Sequence, residues 1–274
     1  MRDIDLPLQV DLLRELGADF ATLHTKVNEL APEPGSELLR QVGPQILAIH
    51  ELVSRALVRL SVLERSQYTA VPGSRLSLDT LSGVTASASI AASQLARAVA
   101  DNPLDGADFT DGPPVDEESM RQARRTEASP VLAKSLATAA QHLDLSATCC
   151  QYTASAILRD LTEHPEHRPE LPGLSPAQYA ALERIAQGGT RRFAPHNQPV
   201  HVTDGNGSVI HAKSFVVLDK ERLIRVAQTP DHVSQDVVVT AAGQLAQDFQ
   251  KPHRSQATSP AKAPVPGNTG GKKR

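Results

Sequence analysis

The stretch HPEH carries the residue types in this sequence that are best suited to metal chemistry. It places His164, Glu166 and His167 within four positions, and two imidazoles with a carboxylate are groups that bind zinc or nickel. The stretch lies inside EHPEHRPELPG, whose prolines are typical of a linker, and the sequence has no matching cluster elsewhere. We therefore predict solvated linker side chains here and no metal site.

The two cysteines of the chain, Cys149 and Cys150, are the next candidates for chemistry. Neighbouring cysteines rarely form a disulfide with each other. They fall on an apolar helical stripe, where a thiol packs as a small hydrophobic group. This placement favours core packing over redox chemistry and is compatible with a reducing compartment.

Sequence motifs of known enzyme classes are absent from the chain. We find no GxSxG, P-loop, GxGxxG, HExxH or CxxC pattern. The stretch DGNG at 204–207 resembles part of a calcium loop but lacks the spaced carboxylates that follow in such a loop, so it predicts a turn. The sequence therefore predicts a protein that is not an enzyme and has no cofactor.

Charge is distributed unevenly along the chain. Residues 1–173 contain 15 basic and 24 acidic residues, a net charge of −9, whereas residues 174–250 contain seven of each. Residues 251–274 contain six basic residues and no acidic ones, a net charge of +6. The start, MRDIDLPLQV, lacks the features of a signal peptide, so a cytoplasmic location without membrane association is expected.

Four segments of the N-terminal part carry apolar residues in alternating three- and four-residue steps, with Gln9 as the one polar place in the first. This spacing predicts four amphipathic helices that form an antiparallel four-helix bundle over residues 4–163. The four stripes are Leu6, Leu13, Leu16, Phe20, Leu23, Val27 and Leu30; Leu39, Val42, Ile46, Ile49, Val53, Ala56, Leu60 and Leu63; Leu81, Val84, Ala88, Ala91, Leu95 and Ala98; and Leu132, Leu136, Ala139, Leu143, Ala147, Cys150, Ala154, Ile157 and Leu161.

Two prolines bear on where these helices begin. Pro44 lies early in the second stripe and predicts either a kink or the true first turn of that helix. Ser129 and Pro130 together predict the start of the fourth helix, because serine caps free N–H groups and proline suits the first helical position.

The part after the proline-rich linker reads as a smaller α+β module over residues 174–250. Ser175 and Pro176 open a helix that a double glycine ends, and PVHVT-DGNG-SVIH predicts a β-hairpin. AKSFVVLDKER predicts a helix with Ala212, Phe215 and Leu218 inward, although a fully buried strand is the alternative. The strands LIRV and DVVVT and the helix AAGQLAQDF follow. Residues 251–274 predict a disordered basic tail.

The stretches SFVVLDKERLIRV (214–226) and DVVVTAAGQL (236–245) resemble the helix, strand, wing and Val-Thr-x-x-Gly run of MarR-like winged-helix regulators. Together with LSPAQYAALERIAQGG, this ending also resembles a C-terminal module of uncharacterised actinomycete proteins that have an N-terminal helical region. The resemblance implies a winged-helix-like domain with Ala212–Arg222 as the equivalent of the recognition helix and Gln228–Gln235 as the wing tip. The chain departs from the pattern where HVTDGNGSVI replaces the preceding helix.

The candidate contact residues lie on and after this helix. Its periodicity places Lys213, Val217 and Lys220 outward, and Arg222 and His232 complete the set of DNA or partner contacts. A module without net charge is poorly suited to binding the phosphates of DNA. Outward-facing valines favour contact with a protein partner. We therefore predict an interaction or scaffold protein that binds a protein partner or self-associates, and we expect no small-molecule substrate. The alternative is a winged-helix DNA-binding regulator or a DNA-associated accessory protein, with weak DNA contact.

Overall fold

A computed structural model describes residues 3–103, 118–193, 201–227 and 234–257 of the chain. The chain divides into two compact units, Met1–Glu170 and Leu171–Arg274. The helices are α1 Leu6–Asn28, α2 Ser36–Glu64, α3 Ser74–Ala100, α4 Glu118–Glu163, α5 Pro176–Ala186, α6 Ala212–Lys220 and α7 Ala241–Ala257, with short 3-10 helices at Gln67–Ala70 and Pro165–His167; the strands are β1 Arg191–Phe193, β2 His201–Thr203, β3 Val209–Ile210, β4 Ile224–Val226 and β5 Ser234–Val239. The protein is mostly helical, as predicted, with a small antiparallel sheet in its C-terminal unit.

The first four helices pack side by side in the N-terminal unit, each against two neighbours. Hydrogen bonds beside the helix ends show that α1 runs antiparallel to α2, and α2 antiparallel to α3. The backbone N–H of Ile4, before α1, donates to Gln67 Oε1 beyond the end of α2 at 3.0 Å. The N–H of Gly35, before α2, donates to Asn102 Oδ1 beyond the end of α3 at 2.8 Å.

The predicted apolar stripes are confirmed for α3 and α4, where every member is buried, and for α1 except at half-buried Leu30. Gln9, the polar place in the first stripe, is also buried, and its Oε1 accepts a hydrogen bond of 3.0 Å from Arg59 Nη1. A buried amide needs such a partner because its desolvation is otherwise costly.

The stripe predicted for α2 is correct at only half of its positions, which follow one another at seven-residue intervals. Val42, Ile49, Ala56 and Leu63 are buried as predicted. The other buried positions are Leu38 and Leu52, one residue before the predicted Leu39 and Val53, which are half-buried. This helix has apolar residues on both sides of the row formed by Val42, Ile49, Ala56 and Leu63, so spacing alone does not determine which side faces the core.

The helix start predicted at Ser129 and Pro130 is wrong, and so is one of the two alternatives for Pro44, that it lies in the first turn. The helix α2 begins at Ser36, so Pro44 lies inside it rather than in its first turn. Likewise, α4 begins at Glu118 and continues through Pro130. The hydroxyl of Ser129 donates to the carbonyl of Pro32 at 3.4 Å instead of capping a helix. An interior proline removes one backbone hydrogen bond, and the long packed stripe that follows offsets that cost.

The sheet of the C-terminal unit has the order β3-β2-β1-β5-β4, and every described pairing is antiparallel. The hairpin of β2 and β3 around DGNG is confirmed. The central strand β1 was not predicted, because RRF is short, carries two arginines and has no alternation of its own. It becomes a strand by pairing on both sides: Arg192 lies opposite Val202 on β2 and Gln235 on β5.

One face of this sheet packs against α5, α6 and α7 around a shared apolar core. The helix α5 has the predicted start, since Ser175 and Gln178 form a reciprocal capping box. The prediction of a helix for α6 is confirmed, with Phe215 and Leu218 buried, and the buried-strand alternative is wrong. Ala212 was predicted inward but is exposed, and Ser214 is buried instead.

The C-terminal helix α7 continues to Ala257, seven residues into the segment predicted as a disordered tail. Residues 258–274, the rest of that segment, lie outside the described residues. Among the helices that the structure describes, none is long and apolar enough to cross a membrane.

Candidate functional site

The outward face of α6 brings together two lysines and two valines. Lys213, Val217 and Lys220 follow one another at four- and three-residue steps, so they share one side of the helix. Both lysines are exposed and Val217 is half-buried. Val216, beside them, has 62% of its surface exposed although it is apolar. We call these four residues the α6 surface.

The chain leaves α6 through a left-handed residue, Arg222, whose φ is +56°. Its backbone N–H donates to the carbonyl of Asp219, and the N–H of Leu223 donates to the carbonyl of Leu218, both at 2.9 Å. These two bonds form a Schellman motif, in which the left-handed position is usually glycine. Leu218 and Leu223 are both fully buried, which supplies the apolar contact that accompanies this motif.

Two residues of the Val-Thr-x-x-Gly run hold this turn from the other side. The Thr240 hydroxyl donates to the carbonyl of Arg222 at 2.7 Å, and its backbone N–H donates to the carbonyl of Leu223 at 3.0 Å. The same hydroxyl accepts the N–H of Gly243 at 3.2 Å, at the start of α7. A β-carbon at Gly243 would overlap the carbonyl oxygen of Leu223. Sequence reasoning used this run as a resemblance and missed its structural role.

Strands β4 and β5 follow α6 and pair in register, with Arg225 opposite Val238. The loop between them was predicted as a wing tip. Of that prediction, residues 228–233, including His232, lie outside the described residues, and Ser234 and Gln235 belong to β5.

An ion pair anchors the β2–β3 hairpin that leads into α6. Arg184 on α5 lies 2.8 Å from Asp204 Oδ2, and its guanidinium also donates to the carbonyl of Ser208 at 2.9 Å. Asp204 Oδ1 accepts the backbone N–H groups of Asn206 and Ser208. The hydrogen bond from Arg184, helped by these backbone donors, lowers the pKa of Asp204 against the opposing effect of burial. This arrangement is structural, because the ion pair and the backbone bonds hold the hairpin turn against α5.

The opposite face of the sheet carries side chains that sequence reasoning did not bring together, because β1 was not predicted. The rings of Phe193 and His201 stack with centroids 5.0 Å apart. Arg191 lies 3.6 Å from Asp236, its direct partner on β5. Opposite charges therefore meet at this pair.

The two cysteines of the N-terminal unit, Cys149 and Cys150, are placed for packing rather than for redox chemistry. Cys150 is buried, as predicted, and burial together with the neighbouring Cys149 raises the pKa of its thiol to about 12. Burial also raises the pKa of the half-buried Cys149. Both groups are therefore thiols near neutral pH, which is the unreactive form.

The HPEH stretch forms a local turn. Glu166 Oε1 lies 3.6 Å from His164 Nδ1 and 3.9 Å from His167 Nε2. In the part of the chain that the structure describes, no three His, Cys, Asp or Glu side chains are arranged to hold a metal ion.

Compared with known proteins, the chain matches no family model, no curated protein and no solved structure. The winged-helix resemblance therefore stays a prediction.

Proposed function

We propose that this protein is a non-enzymatic interaction protein and that the α6 surface is its contact with a protein partner. The observation that carries the proposal is Val216, an apolar side chain left 62% exposed between two exposed lysines. A partner that covers Val216 together with the half-buried Val217 would remove apolar surface from water.

The charges around this surface favour a protein over duplex DNA. Affinity for DNA comes mainly from neutralising phosphates with many cations. The α6 surface offers Lys213 and Lys220, and the exposed acids Asp219 and Glu221 lie on the same helix and its cap. The whole C-terminal module has no net charge over residues 174–250. A protein partner can match such a mixed pattern, because its own surface mixes charged and apolar groups.

The N-terminal unit fits the role of a scaffold in this proposal. Its acidic helices, which carry a net charge of −9 over residues 1–173, either bind a partner or self-associate. The C-terminal module then docks or orients what the helices hold.

Winged-helix DNA binding is the second candidate, and one observation favours it. A helix, α6, is followed by the β4–β5 hairpin, and β1 pairs with β5 to give a three-stranded order β1-β5-β4. The succession of α6, β4 and β5 is the one that the MarR-like resemblance implies. The six cations of residues 251–274 would then add contacts to phosphates without reading bases.

Site-specific photo-crosslinking tests the proposal in the cells that naturally produce the chain. A photoreactive phenylalanine derivative at Val216 should yield a discrete protein adduct, and Lys213→Glu with Lys220→Glu should abolish it. Val209 provides a matched control, because it is a valine of the same unit that is 66% exposed but lies on a strand. Adducts that disappear on nuclease treatment would contradict a protein partner.

Duplex binding separates the two candidates further. We expect weak, steeply salt-dependent binding that is largely lost when residues 251–274 are removed, with little effect of Lys213→Ala. Tight, sequence-selective binding that survives removal of the tail and is lost with Lys213→Ala would establish the regulator instead.

A further inference from the structure

Arg222 occupies a backbone conformation that is energetically unfavourable for arginine. Left-handed φ values bring the β-carbon of an L-residue close to the following carbonyl, so glycine is the usual residue there and asparagine the next best. Arg222 is the one residue other than glycine with a positive φ in the described ranges 3–103, 118–193, 201–227 and 234–257.

The surroundings impose this conformation whatever the side chain is. The Schellman bonds to Asp219 and Leu218 fix the turn from α6, and Thr240 binds the carbonyls of Arg222 and Leu223 from the start of α7. Leu223 must turn inward here because it is a fully buried member of the core. A strained residue persists where its neighbours over-determine the backbone in this way. A glycine would therefore serve the fold better than the arginine does.

The side chain of Arg222 can explain why this position holds an arginine rather than a glycine. Arg222 is exposed and follows the α6 surface directly, two residues after Lys220. Its guanidinium is planar and always charged, and it presents a fork of donors that matches a carboxylate with two parallel hydrogen bonds.

We propose that Arg222 is an anion-contacting residue of the α6 surface, kept in a strained conformation for its guanidinium, and that the partner is an acidic amphipathic protein segment. This inference rests on the function proposed above. Carboxylates are favoured over a row of DNA phosphates because Val216 and Val217 need apolar partner atoms beside the anion.

The first arm of the test measures thermal unfolding of the full chain. Arg222→Gly should raise the unfolding temperature of the C-terminal unit by a few degrees, and Arg222→Asn should raise it less. Arg65 is a matched control, because it is an exposed arginine at the end of α2 with an ordinary φ of −99°. Arg65→Gly should leave the unfolding temperature unchanged or lower it.

The second arm measures binding by fluorescence anisotropy at physiological salt. The probe is a labelled peptide of leucine and glutamate with helical spacing, and duplex DNA of similar length is the comparison. Arg222→Gly should weaken peptide binding about tenfold, the loss expected for one charge-assisted hydrogen bond. Arg222→Lys should recover part of the affinity, and Arg65→Gly should leave it unchanged.

The outcomes separate this inference from the proposed function. A more stable Arg222→Gly chain with unchanged peptide affinity, or a less stable one, overturns the role of Arg222 alone. If Lys213→Glu with Lys220→Glu also leaves peptide binding unchanged, the α6 surface is not the contact and the proposed function fails. A loss confined to duplex DNA overturns the acidic partner and supports the regulator.

Discussion

The phenolic hydroxyl of Tyr68 donates a hydrogen bond of 2.7 Å to Asp160 Oδ2, which ties the turn after α2 to the last turns of α4. Both side chains are buried, with only 4% of Asp160 exposed. Gly73, at the start of α3, has a left-handed φ of +90°, and a β-carbon there would lie 3.0 Å from Asp160 Oδ1. Burial raises the pKa of Tyr68 well above its usual range, so the phenol keeps the proton that it donates. The connection between α2 and α3 therefore meets the end of α4 at one buried carboxylate, 92 residues from Tyr68 in the sequence.

Removal of the Tyr68 hydroxyl should destabilise the N-terminal unit. We expect Tyr68→Phe to lower the free energy of unfolding by about 1–3 kcal/mol, because Asp160 then loses a donor while remaining buried. Urea denaturation followed by circular dichroism measures this. The control is Tyr152→Phe, at a tyrosine of α4 that is 47% exposed, where the change should stay within about 0.5 kcal/mol. Equal effects of the two variants would show that the buried pair contributes nothing.

The thiol of Cys150 should make stability fall at alkaline pH. Its pKa is raised to about 12 in the folded chain, whereas an unfolded thiol ionises near about 8.5. The stabilisation is therefore fully present below about pH 8.5 and is lost as the pH rises toward the folded value, by up to about 1.4 kcal/mol per pH unit. Denaturation between these limits should show a shallower pH slope for Cys150→Ala. An identical slope in the two chains would refute the assignment.

Asp204 should stabilise the C-terminal unit at neutral pH and lose that effect in acid. Its pKa is lowered, first by the hydrogen bond from Arg184. A lowered carboxyl pKa gives stability that is present above the unfolded value of about 3.9 and disappears as the pH falls through the folded value. Asp204→Asn should speed amide hydrogen exchange in residues 201–210 at pH 7 but not near the folded pKa. Asp236→Asn, at an exposed carboxylate 3.6 Å from Arg191, should change little. Comparable changes would disprove the anchor.

Gly243→Ala should destabilise the C-terminal unit, although alanine is the better helix former by about 1 kcal/mol. The added β-carbon would overlap the carbonyl oxygen of Leu223 and lie 2.7 Å from Val239 Cγ1. Gly83→Ala in α3 is the matched control, because a β-carbon there meets nothing within 4 Å. That variant should raise the unfolding temperature while Gly243→Ala lowers it. Stabilisation by both would mean that the turn at Leu223 is looser than the structure shows.

Local signals in the sequence were sufficient for much of this fold. The stripes of α3 and α4 were predicted residue by residue, because each helix has one apolar face and the period of a helix leaves no second choice. The cap at Ser175 and the hairpin turn at 204–207 follow from side-chain and glycine chemistry within a few residues. The outward placement of Lys213 and Lys220 came from the same periodicity.

Tertiary structure alone decided the features that depend on distant partners. The flank of α2 that is buried depends on which helices lie beside it, and β1 is a strand only because Val202 and Gln235 lie on either side of Arg192. The left-handed Arg222 is the clearest case for the candidate site. Its own sequence predicts no such conformation, since arginine avoids it, and the turn arises from bonds to Leu218 at one end and Thr240 at the other. A conformation imposed through contacts across the fold leaves no signal in local spacing.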